Sequence, residues 1–350
     1  MLSTPLDNNE QKNNLFIENI MIETAAPRIL ISILNWNALN LTINCINSIL
    51  ESSFDNIDII VVDNASNENE ADKIQQRFPN ISIVRNQRNL GFAGGHNQVI
   101  RIAIDRGFDY IWLVNNDCSF KPTDLENILG VVEADPKIGI VSPIIALPDR
   151  YGEERFQFVG SWFNWETQSC IRPKDPALVL RRENKFPNDM WVTGTAMLLR
   201  CEMLKKIGGL DERYFAYFED NELGARASRA GYLSRMAFDV EILHHSFSST
   251  HDRPPHYFYL CSRNAYLFWV ENTPQEFRKG VRLHLLANTL LEAKSLQLAG
   301  RTEQARACIF GFIDAILGRY GMIRMHFKSN RFFDKILKYI PYRLLFLIKK

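Results

Sequence analysis

Apolar runs alternate with helix-patterned segments over the first third of the chain. Four short apolar runs are typical of buried strands, at about 28–34, 57–62, 81–84 and 110–114. The segments between them predict helices, at about 38–50, 68–78 and 96–106. Strands that alternate with helices at this spacing indicate an α/β fold with a parallel sheet covered on both faces.

Polar residues follow each of these strands. Asn35 ends the first strand, Asp63 ends the second, a glycine-rich turn at 89–97 follows the third, and Asp117 follows the fourth. Right-handed crossovers bring the carboxyl ends of such strands to one side of the sheet, where open α/β sheets bind ligands. The four polar loops are therefore expected to line one crevice.

Asp117 is a single carboxylate just beyond the carboxyl end of the strand at 110–114, whose residues are mostly apolar and large. It closes the run Asn115-Asn116-Asp117, and Lys121-Pro122 then favours the start of a helix. A carboxylate at this edge can hold a hard divalent cation, and the cation can carry a diphosphate. The alternative is an aspartate that only caps the next helix.

Beyond residue 130 the pattern is less regular. Strands are expected at 138–145, at 191–199 with an interruption at Gly194, and at 238–243 before His244. Residues 146–189 are expected to be irregular; their Trp162 and Trp165 suit either a sugar-contacting surface or simple packing. Further helices are predicted at 219–230, 256–271, 275–298 and 302–319.

This reading divides the chain into three parts. Residues 1–26 are rich in polar residues and predict a disordered lead-in. Residues 27–255 form the α/β domain, and residues 256–350 form a helical C-terminal region.

Composition excludes several classes of protein. Apolar residues make up 46% of the 350 residues and charged residues 23%, and the net charge of +1 argues against a nucleic-acid-binding protein. Six widely spaced cysteines without a CxxC motif indicate a reducing compartment and no zinc site. With no membrane-spanning run and no signal-peptide pattern, the sequence predicts a cytoplasmic protein.

The C-terminal tail departs from this neutral balance. Residues 319–350 carry nine Lys or Arg and one Asp, together with many apolar and aromatic residues. Such a tail predicts peripheral contact with anionic lipid, which would place the protein at the inner face of the membrane. The alternative is a helix that packs on the domain and exposes a basic face.

The motifs resemble a known family. Neither GxGxxG nor GxxxxGK[ST] is present, which sets aside nicotinamide and P-loop enzymes. Over about 28–270 the chain instead resembles the family 2 inverting glycosyltransferases, in their rhamnosyltransferase-like branch. The resemblance rests on motifs that occur in the family's order: Asn35-Trp-Asn37, Val62-Asp-Asn-Ala-Ser66, Asn89-Leu-Gly-Phe-Ala-Gly-Gly-His-Asn97, Leu113-Val-Asn-Asn-Asp117, Gly194-Thr-Ala196, Gly208-Gly-Leu-Asp-Glu212, Tyr217-Phe-Glu-Asp-Asn-Glu-Leu223 and His244.

The resemblance implies a GT-A fold, a nucleotide-sugar donor and a divalent cation, Mg²⁺ or Mn²⁺. It places Asp220 as the catalytic base with Glu219 beside it, and Asp117 and His244 at the metal and diphosphate. It assigns Asp63 to the pyrimidine base. The other residues that it places at the nucleotide-sugar are Asn35, Asn64, Asn89, Gly91, Asn97, Asn116 and Gly194.

Two departures from the family pattern change the expectation. The metal motif has one carboxylate, Asp117, which predicts weaker binding of the cation by protein groups. The family's GGNN reads Gly94-Gly95-His96-Asn97, so His96 stands where the family has an asparagine on the sugar side of the donor.

Glu222 and Arg226, four residues apart, are expected to form a surface ion pair.

The expected activity is transfer of a sugar, such as rhamnose from a dTDP donor, to a glycan or lipid-linked acceptor. Inversion needs one base on the acceptor hydroxyl and stabilisation of the leaving diphosphate, without a covalent nucleophile. The alternatives are a UDP-hexose or galactofuranosyl transferase, and a catalytically idle GT-A domain that binds glycans.

Overall fold

A computed structural model describes residues 26–148, 155–245 and 253–323. The predicted lead-in at 1–26 and the basic tail fall almost entirely outside the described residues. The division into three parts therefore stays a prediction.

A mixed sheet forms the centre of the fold. In the described residues nine strands pair in the order β3-β2-β1-β4-β11-β6-β12-β5, and β7 adds to β6. The strands of this sheet are β1 (Ile29–Asn35), β2 (Ile57–Asp63), β3 (Ser82–Arg85), β4 (Tyr110–Asn115), β5 (Cys118–Ser119), β6 (Ile138–Ala146), β7 (Phe156–Phe158), β11 (Ala196–Arg200) and β12 (Leu233–His244). Strands β3, β2, β1 and β4 are parallel, as predicted.

The second half of the sheet differs from the prediction. Strand β11 runs antiparallel to both β4 and β6, while β12 pairs parallel with β6. The strand predicted at 191–199 is split: β10 (Met190–Trp191) joins a small second sheet, and the chain then turns through Gly194 into β11. An apolar run shows that a strand is buried but not which neighbour it pairs with, so its direction could not be predicted.

Residues 146–189 contain more regular structure than expected. They include β7, β8 (Ser161–Asn164), β9 (Ser169–Ile171) and a helix, α5 (Pro176–Lys185). Asp175 caps this helix through Ala177 N, and Pro176 occupies its first turn. Trp165 stacks on Phe268, which supports packing rather than a sugar-contacting surface.

Helices cover both faces of the sheet and extend beyond it. They are α1 (Leu39–Leu50), α2 (Glu70–Arg77), α3 (Gly91–Asp105), α4 (Asp124–Glu133), α5, α6 (Cys201–Ile207), α7 (Glu219–Arg229), α8 (Pro255–Asn272), α9 (Val281–Leu298) and α10 (Thr302–Ile316). The predicted start of α3 at His96 was wrong, because the helix begins at Gly91 within the glycine-rich segment. The helix expected from 275 begins at Val281, after a short 3₁₀ turn.

The helix α8 joins the C-terminal helices to the sheet. Its second half, including Leu267 and Phe268, belongs to the main apolar core, while Phe258 and Leu260 pack with α9 and α10. This two-sided burial holds α8 beside the carboxyl end of the sheet. Among the described helices, none is both long and apolar enough to cross a membrane.

Candidate active site

The polar strand ends meet at one edge of the sheet, as predicted. Asn35 pairs in register with Asp63, and Leu34 pairs with Asn115 at the end of β4. Three strands thus finish at the same level, and the residues that follow them form the floor of the site.

Asn35 is fully buried and fixes the residues around Asp63. Its amide nitrogen donates to Asp63 Oδ1 at 3.1 Å, to Ser66 Oγ at 3.0 Å and to Glu70 Oε2 at 2.9 Å. Its amide oxygen accepts from Thr42 Oγ1 at 2.7 Å. With both ends of the amide satisfied inside the protein, Asn35 positions Asp63, and the nucleotide contact predicted for Asn35 remains untested.

Asn64 organises the turn that leads into α3. Its Nδ2 donates to Asn89 Oδ1 at 2.9 Å and to the carbonyl of Gly91 at 3.1 Å, and its Oδ1 accepts from Leu90 N. Gly91 has φ +73°, and a Cβ there would lie 2.3 Å from the carbonyl oxygen of Phe215. The predicted nucleotide-side residues Asn64, Asn89 and Gly91 therefore build one turn that packs against the segment before Glu219.

Asn97 and His96 have internal partners. Asn97 donates to Leu210 O at 2.8 Å and accepts from Leu210 N at 2.8 Å, so its amide holds the 210–212 segment. His96 is fully buried, with Nδ1 2.8 Å from Ser32 Oγ, and burial lowers its pKa to about 3. His96 is therefore neutral, and neither residue lines the cavity described below.

Asp117 and His244 form a close pair at the end of the sheet. Nε2 of His244 lies 2.9 Å from Oδ1 of Asp117, and Nδ1 lies 2.6 Å from Oε1 of Gln157. The strand β12 presents His244 here because its last residues pair with β5, next to Asp117. Asn116 donates to Thr42 Oγ1 at 2.8 Å, which links this loop to the Asn35 network.

The residues present fit a divalent cation. Asp117, Cys118 and His244 bring one ligand atom each to within 4.8 Å of one another. Burial, and then the charge of Asp117, raises the pKa of the Cys118 thiol well above its usual range, so it is a poor ligand for a hard cation. The carboxylate and the imidazole are the two ligands that this site offers.

A cavity of about 600 Å³ opens beside this pair. Its lining includes Asp117 and His244 at one side, and Glu219 and Asp220 at the N-terminus of α7. Gly194 also lines it, in the turn between β10 and β11. The structure therefore brings the predicted cation ligands and the predicted base into one shared space.

The backbone holds the Asp220 carboxylate from two sides. Gly194 N donates to Oδ2 at 3.0 Å and Asn221 N donates to Oδ1 at 2.7 Å. Burial raises the pKa of Asp220, and these two donors and the charge of Arg172 oppose that rise because they favour the carboxylate. A Cβ at Gly194 would lie 3.3 Å from the Phe92 ring, so the turn leaves little room for a side chain.

Glu219 differs from Asp220 in its surroundings. It is 6% exposed, and its Oε2 is buried without a hydrogen-bond partner among the described residues. Burial, followed by the charge of Asp220, raises the pKa of Glu219 well above its usual range. The raised pKa favours the protonated form of Glu219, whereas the Asp220 carboxylate accepts two backbone hydrogen bonds that favour its charged form.

The segment before Glu219 has an unusual backbone. Phe215, Tyr217 and Phe218 all have φ between 65° and 75°, a conformation that bulky residues rarely adopt. Asn264 on α8 holds this segment through its Nδ2, which lies 2.7–2.9 Å from the carbonyls of Tyr214, Ala216 and Tyr217. The C-terminal helices thus fix the direction in which α7 presents Asp220.

Several residues of the site were not found from the sequence. Gln157, Arg172 and Arg253 line the cavity, and Asn264 lies behind it. Gln157 and Arg172 come from the region that was expected to be irregular, and no local pattern distinguishes an arginine or glutamine there. Only the three-dimensional packing places them beside Asp117 and Asp220.

The ion pair predicted on the surface is instead largely buried. Glu222 has a side chain 9% exposed and Arg226 one 23% exposed, with 2.7 Å between Nη2 and Oε2. Arg226 also donates to the carbonyls of Ile207, Gly208 and Gly209. Residue spacing gave the partner correctly, but the burial depends on the 207–209 segment, which lies over the helix.

The chain is similar to several proteins with known names. The chain is 26% identical over 252 residues to an N-acetylglucosaminyl-diphospho-decaprenol L-rhamnosyltransferase of Mycobacterium tuberculosis. The match covers 68% of this chain and 82% of that protein. Among solved structures it is similar to a mannosyltransferase of Pyrobaculum calidifontis in complex with GDP-Man and Mn²⁺. The TM-score is 0.55 at 17% identity, with 85% of this chain and 89% of that chain covered.

A further similar structure is that of S. aureus TarS in complex with UDP-GlcNAc. The TM-score is 0.53 at 14% identity, with 83% of this chain and 81% of that chain covered. These likenesses confirm the GT-A fold that the motifs implied. The sequence model of the family described as "Glycosyl transferase family 2" matches residues 31–208, just over half of the chain. The chain therefore belongs to glycosyl transferase family 2.

Proposed function

We propose that the protein is an inverting glycosyltransferase that moves a sugar from a nucleotide-sugar to a hydroxyl of a glycan or lipid-linked acceptor. The observation that carries the proposal is the single cavity lined by Asp117 and His244 on one side and Asp220 on the other. A leaving group held at the first pair and a proton acceptor at the second are the two requirements of a single displacement.

Asp117 and His244 would hold the divalent cation. A bound cation supplies charge neutralisation at the leaving diphosphate. The imidazole ligand favours Mn²⁺ over Mg²⁺, because Mg²⁺ takes almost only oxygen ligands. The Pyrobaculum mannosyltransferase structure, which contains Mn²⁺, is consistent with this choice.

Asp220 is the proposed base. Its carboxylate takes the proton of the acceptor hydroxyl while that oxygen forms a bond to the anomeric carbon. The bond between the anomeric carbon and the diphosphate oxygen breaks, and its electron pair leaves with the nucleoside diphosphate. The raised pKa of Asp220 makes it a stronger base than an exposed aspartate, and the N–H groups of Gly194 and Asn221 aim it.

The cavity also supports a mechanism without a covalent intermediate. Cys261 lines it, but burial above all raises the pKa of this thiol to about 12. A thiol in its neutral form is a weak nucleophile at neutral pH. A direct in-line displacement, with inversion at the anomeric carbon, needs no such nucleophile.

The donor and acceptor are proposed from the Mycobacterium relative. That enzyme is named as a rhamnosyltransferase acting on N-acetylglucosaminyl-diphospho-decaprenol. By analogy we propose a dTDP-rhamnose donor, with the buried Asp63 reading the pyrimidine, and a lipid-linked acceptor. A UDP-hexose or galactofuranosyl donor is the alternative that a donor panel distinguishes.

The test is a panel of nucleotide-sugars incubated with the full chain, with Mn²⁺, with Mg²⁺ or with EDTA. We expect release of nucleoside diphosphate from one donor with Mn²⁺, loss of release in EDTA, and an inverted anomeric centre by NMR of the product. Asp220→Asn should bind that donor and fail to turn it over. Donor binding without turnover by the native chain would instead indicate an idle, ligand-binding GT-A domain.

A further inference from the structure

A second cavity, of about 380 Å³, adjoins the one that contains Asp220. The two share four lining residues: Arg172, Phe218, Tyr257 and Cys261. The second cavity lies between β9 and the helices α8, α9 and α10, so the C-terminal helices form most of its wall. We call it the side cavity.

Apolar and aromatic side chains dominate the wall of the side cavity. They include Phe258, Ala265, Trp269, Leu285 and Cys308. Polar groups are fewer; besides Arg172 they are Gln168, Ser169, Ser262, Asn288, Thr289 and Glu292. A concave surface of this kind, continuous with a polar reaction cavity, suits the apolar portion of a ligand whose polar portion lies next to Asp220.

Arg172 lines both cavities, and Arg253 lines the cavity of Asp220 and stacks on Tyr257, which the two cavities share. The guanidinium carbon of Arg172 lies 4.7 Å from the centre of the Trp191 ring, and that of Arg253 lies 4.9 Å from the Tyr257 ring. Across residues 26–148, 155–245 and 253–323, no carboxylate lies within 4.0 Å of either guanidinium. Arg253 also donates to the Tyr217 hydroxyl. Stacking on a ring orients each guanidinium, and its remaining N–H groups are available for an anion.

The charges of Arg172 and Arg253 act on the same buried residue, Cys261. Cys261 is buried at the junction of the two cavities, and although burial raises its pKa overall, the charges of both Arg172 and Arg253 oppose that rise. The charge of Arg172 also opposes the raised pKa of Asp220. An anion bound at the junction would therefore sit next to the base, on the acceptor's side of the reaction.

This anion site differs in kind from the one proposed for the donor, although both lie along the same cavity. Asp117 and His244 would serve the donor's diphosphate through a cation, whereas Arg172 and Arg253 offer two guanidinium groups on the side of the cavity that adjoins the side cavity. Guanidinium groups bind phosphate directly, through paired N–H donors. A phosphate with an apolar group attached would place its charge at Arg172 and its apolar group in the side cavity.

We propose that Arg172, Arg253 and the side cavity form a subsite for a lipid phosphate, so that the acceptor is a sugar joined through phosphate or diphosphate to an apolar chain. This inference rests on the proposed function, since it assigns that reaction's acceptor. The arginines bind the phosphate, and the side cavity binds the first part of the apolar chain.

The direct test is binding of farnesyl diphosphate to the full chain, measured by calorimetry in EDTA so that the cation-dependent donor site does not contribute. We expect binding to weaken about tenfold or more in Arg172→Gln and in Arg253→Gln, because each loses charge-assisted hydrogen bonds. Arg181→Gln is the matched control, since Arg181 is exposed on α5 and lies 3.9 Å from Asp175. Equal affinities in all four proteins would overturn the proposal.

The side cavity is tested with Ala265→Phe, which fills it, and with Ser262→Leu as a second variant. Both should weaken farnesyl diphosphate and leave inorganic pyrophosphate unchanged. If neither variant, folded as judged by its melting curve, weakens farnesyl diphosphate, the apolar subsite is refuted. A third outcome is that the native chain binds chitobiose and not farnesyl diphosphate, and that Ala265→Phe abolishes the binding of chitobiose. This outcome would also refute the apolar subsite and would identify a sugar subsite.

The two proposals fail separately. Binding of farnesyl diphosphate requires neither donor nor turnover, so it can be positive when no nucleotide-sugar is consumed, and the proposed transfer alone would then be wrong. Turnover of a nucleotide-sugar with an acceptor that lacks phosphate, at a rate unchanged in Arg172→Gln, would leave the proposed function intact and remove the subsite.

Discussion

Oε1 of Gln157 lies 2.6 Å from Nδ1 of His244, on the opposite side of the ring from Asp117. An amide oxygen can only accept, so Nδ1 donates to Gln157 and Nε2 faces the Asp117 carboxylate. Gln157 therefore orients the His244 ring, and in the proposed site this would turn Nε2 towards the cation that Asp117 also binds.

We expect Gln157→Leu to weaken Mn²⁺ binding about tenfold or more, because the imidazole loses the partner that fixes its orientation. The measurement is a titration of free Mn²⁺ by electron paramagnetic resonance, without donor. The control is Gln76→Leu, an exposed position on α2. An unchanged Mn²⁺ affinity in Gln157→Leu would show that Gln157 has no part in holding the ligand.

The adjacent acids should respond differently to the same chemical change. Asp220→Asn removes the proton acceptor and should lower kcat about 10²–10⁴-fold. Glu219→Gln replaces a group whose raised pKa favours the neutral form, so kcat should stay within a few-fold of the native value. Steady-state rates at saturating donor decide between them. A larger loss in Glu219→Gln than in Asp220→Asn would move the base to Glu219.

Glu219 should also make stability depend on pH. Its raised pKa means that the folded protein keeps a proton which the unfolded chain releases above about pH 4.3. Folding stability contributed by this group is therefore full below that pH and falls as pH rises towards the raised folded value. We expect Glu219→Gln to reduce this fall, as measured by urea unfolding between pH 4.5 and pH 8. Parallel curves for the two proteins would contradict a raised pKa of Glu219 in the folded protein.

Asn264 connects the C-terminal helices to the catalytic pair. Asn264→Ala removes the side-chain donor to the carbonyls of Ala216 and Tyr217, while the Tyr214 carbonyl keeps Arg263 and Ala216 N as donors, at a cost of about 1–3 kcal/mol of unfolding free energy. Because the same segment presents Asp220, kcat should fall more than donor affinity. Asn127→Ala, at an exposed position on α4, is the control. A loss of stability with unchanged kcat would limit Asn264 to a structural role.

The sequence predicted best what short-range pattern determines. The alternation of strands and helices predicted the parallel half of the sheet. Because the carboxyl ends of parallel strands lie at the same edge, it also predicted that Asn35, Asp63 and Asp117 lie close together. The antiparallel entry of β11 was not predictable, because strand direction depends on contacts far apart in the chain.

Burial was the other property that the sequence did not reveal. His96 replaces an asparagine of the family's GGNN motif on the sugar side, and its ring is fully buried beside Ser32 and Phe92. The sequence predicts a turn at the glycines 91, 94 and 95, but in the structure they belong to α3. Phe215 approaches Gly91 closely and Leu34 approaches Gly95 closely, so a side chain at either position would collide with them. The spacing of residues along the chain therefore predicts which side chains pair locally. Whether such a side chain is buried depends on segments that are distant in the sequence.

The Glu222–Arg226 pair gives the clearest energetic test of that difference. Arg226 ties α7 to the 207–209 carbonyls, so Arg226→Ala leaves a buried carboxylate and three carbonyls without their donor. We expect a loss of about 3 kcal/mol in unfolding free energy, measured by urea titration. Arg101→Ala is the matched control: its 3.8 Å pair with Glu212 has side chains 62% and 58% exposed and should contribute less than about 1 kcal/mol. Equal, small losses in both variants would mean that water reaches the Glu222–Arg226 pair as freely as a surface ion pair.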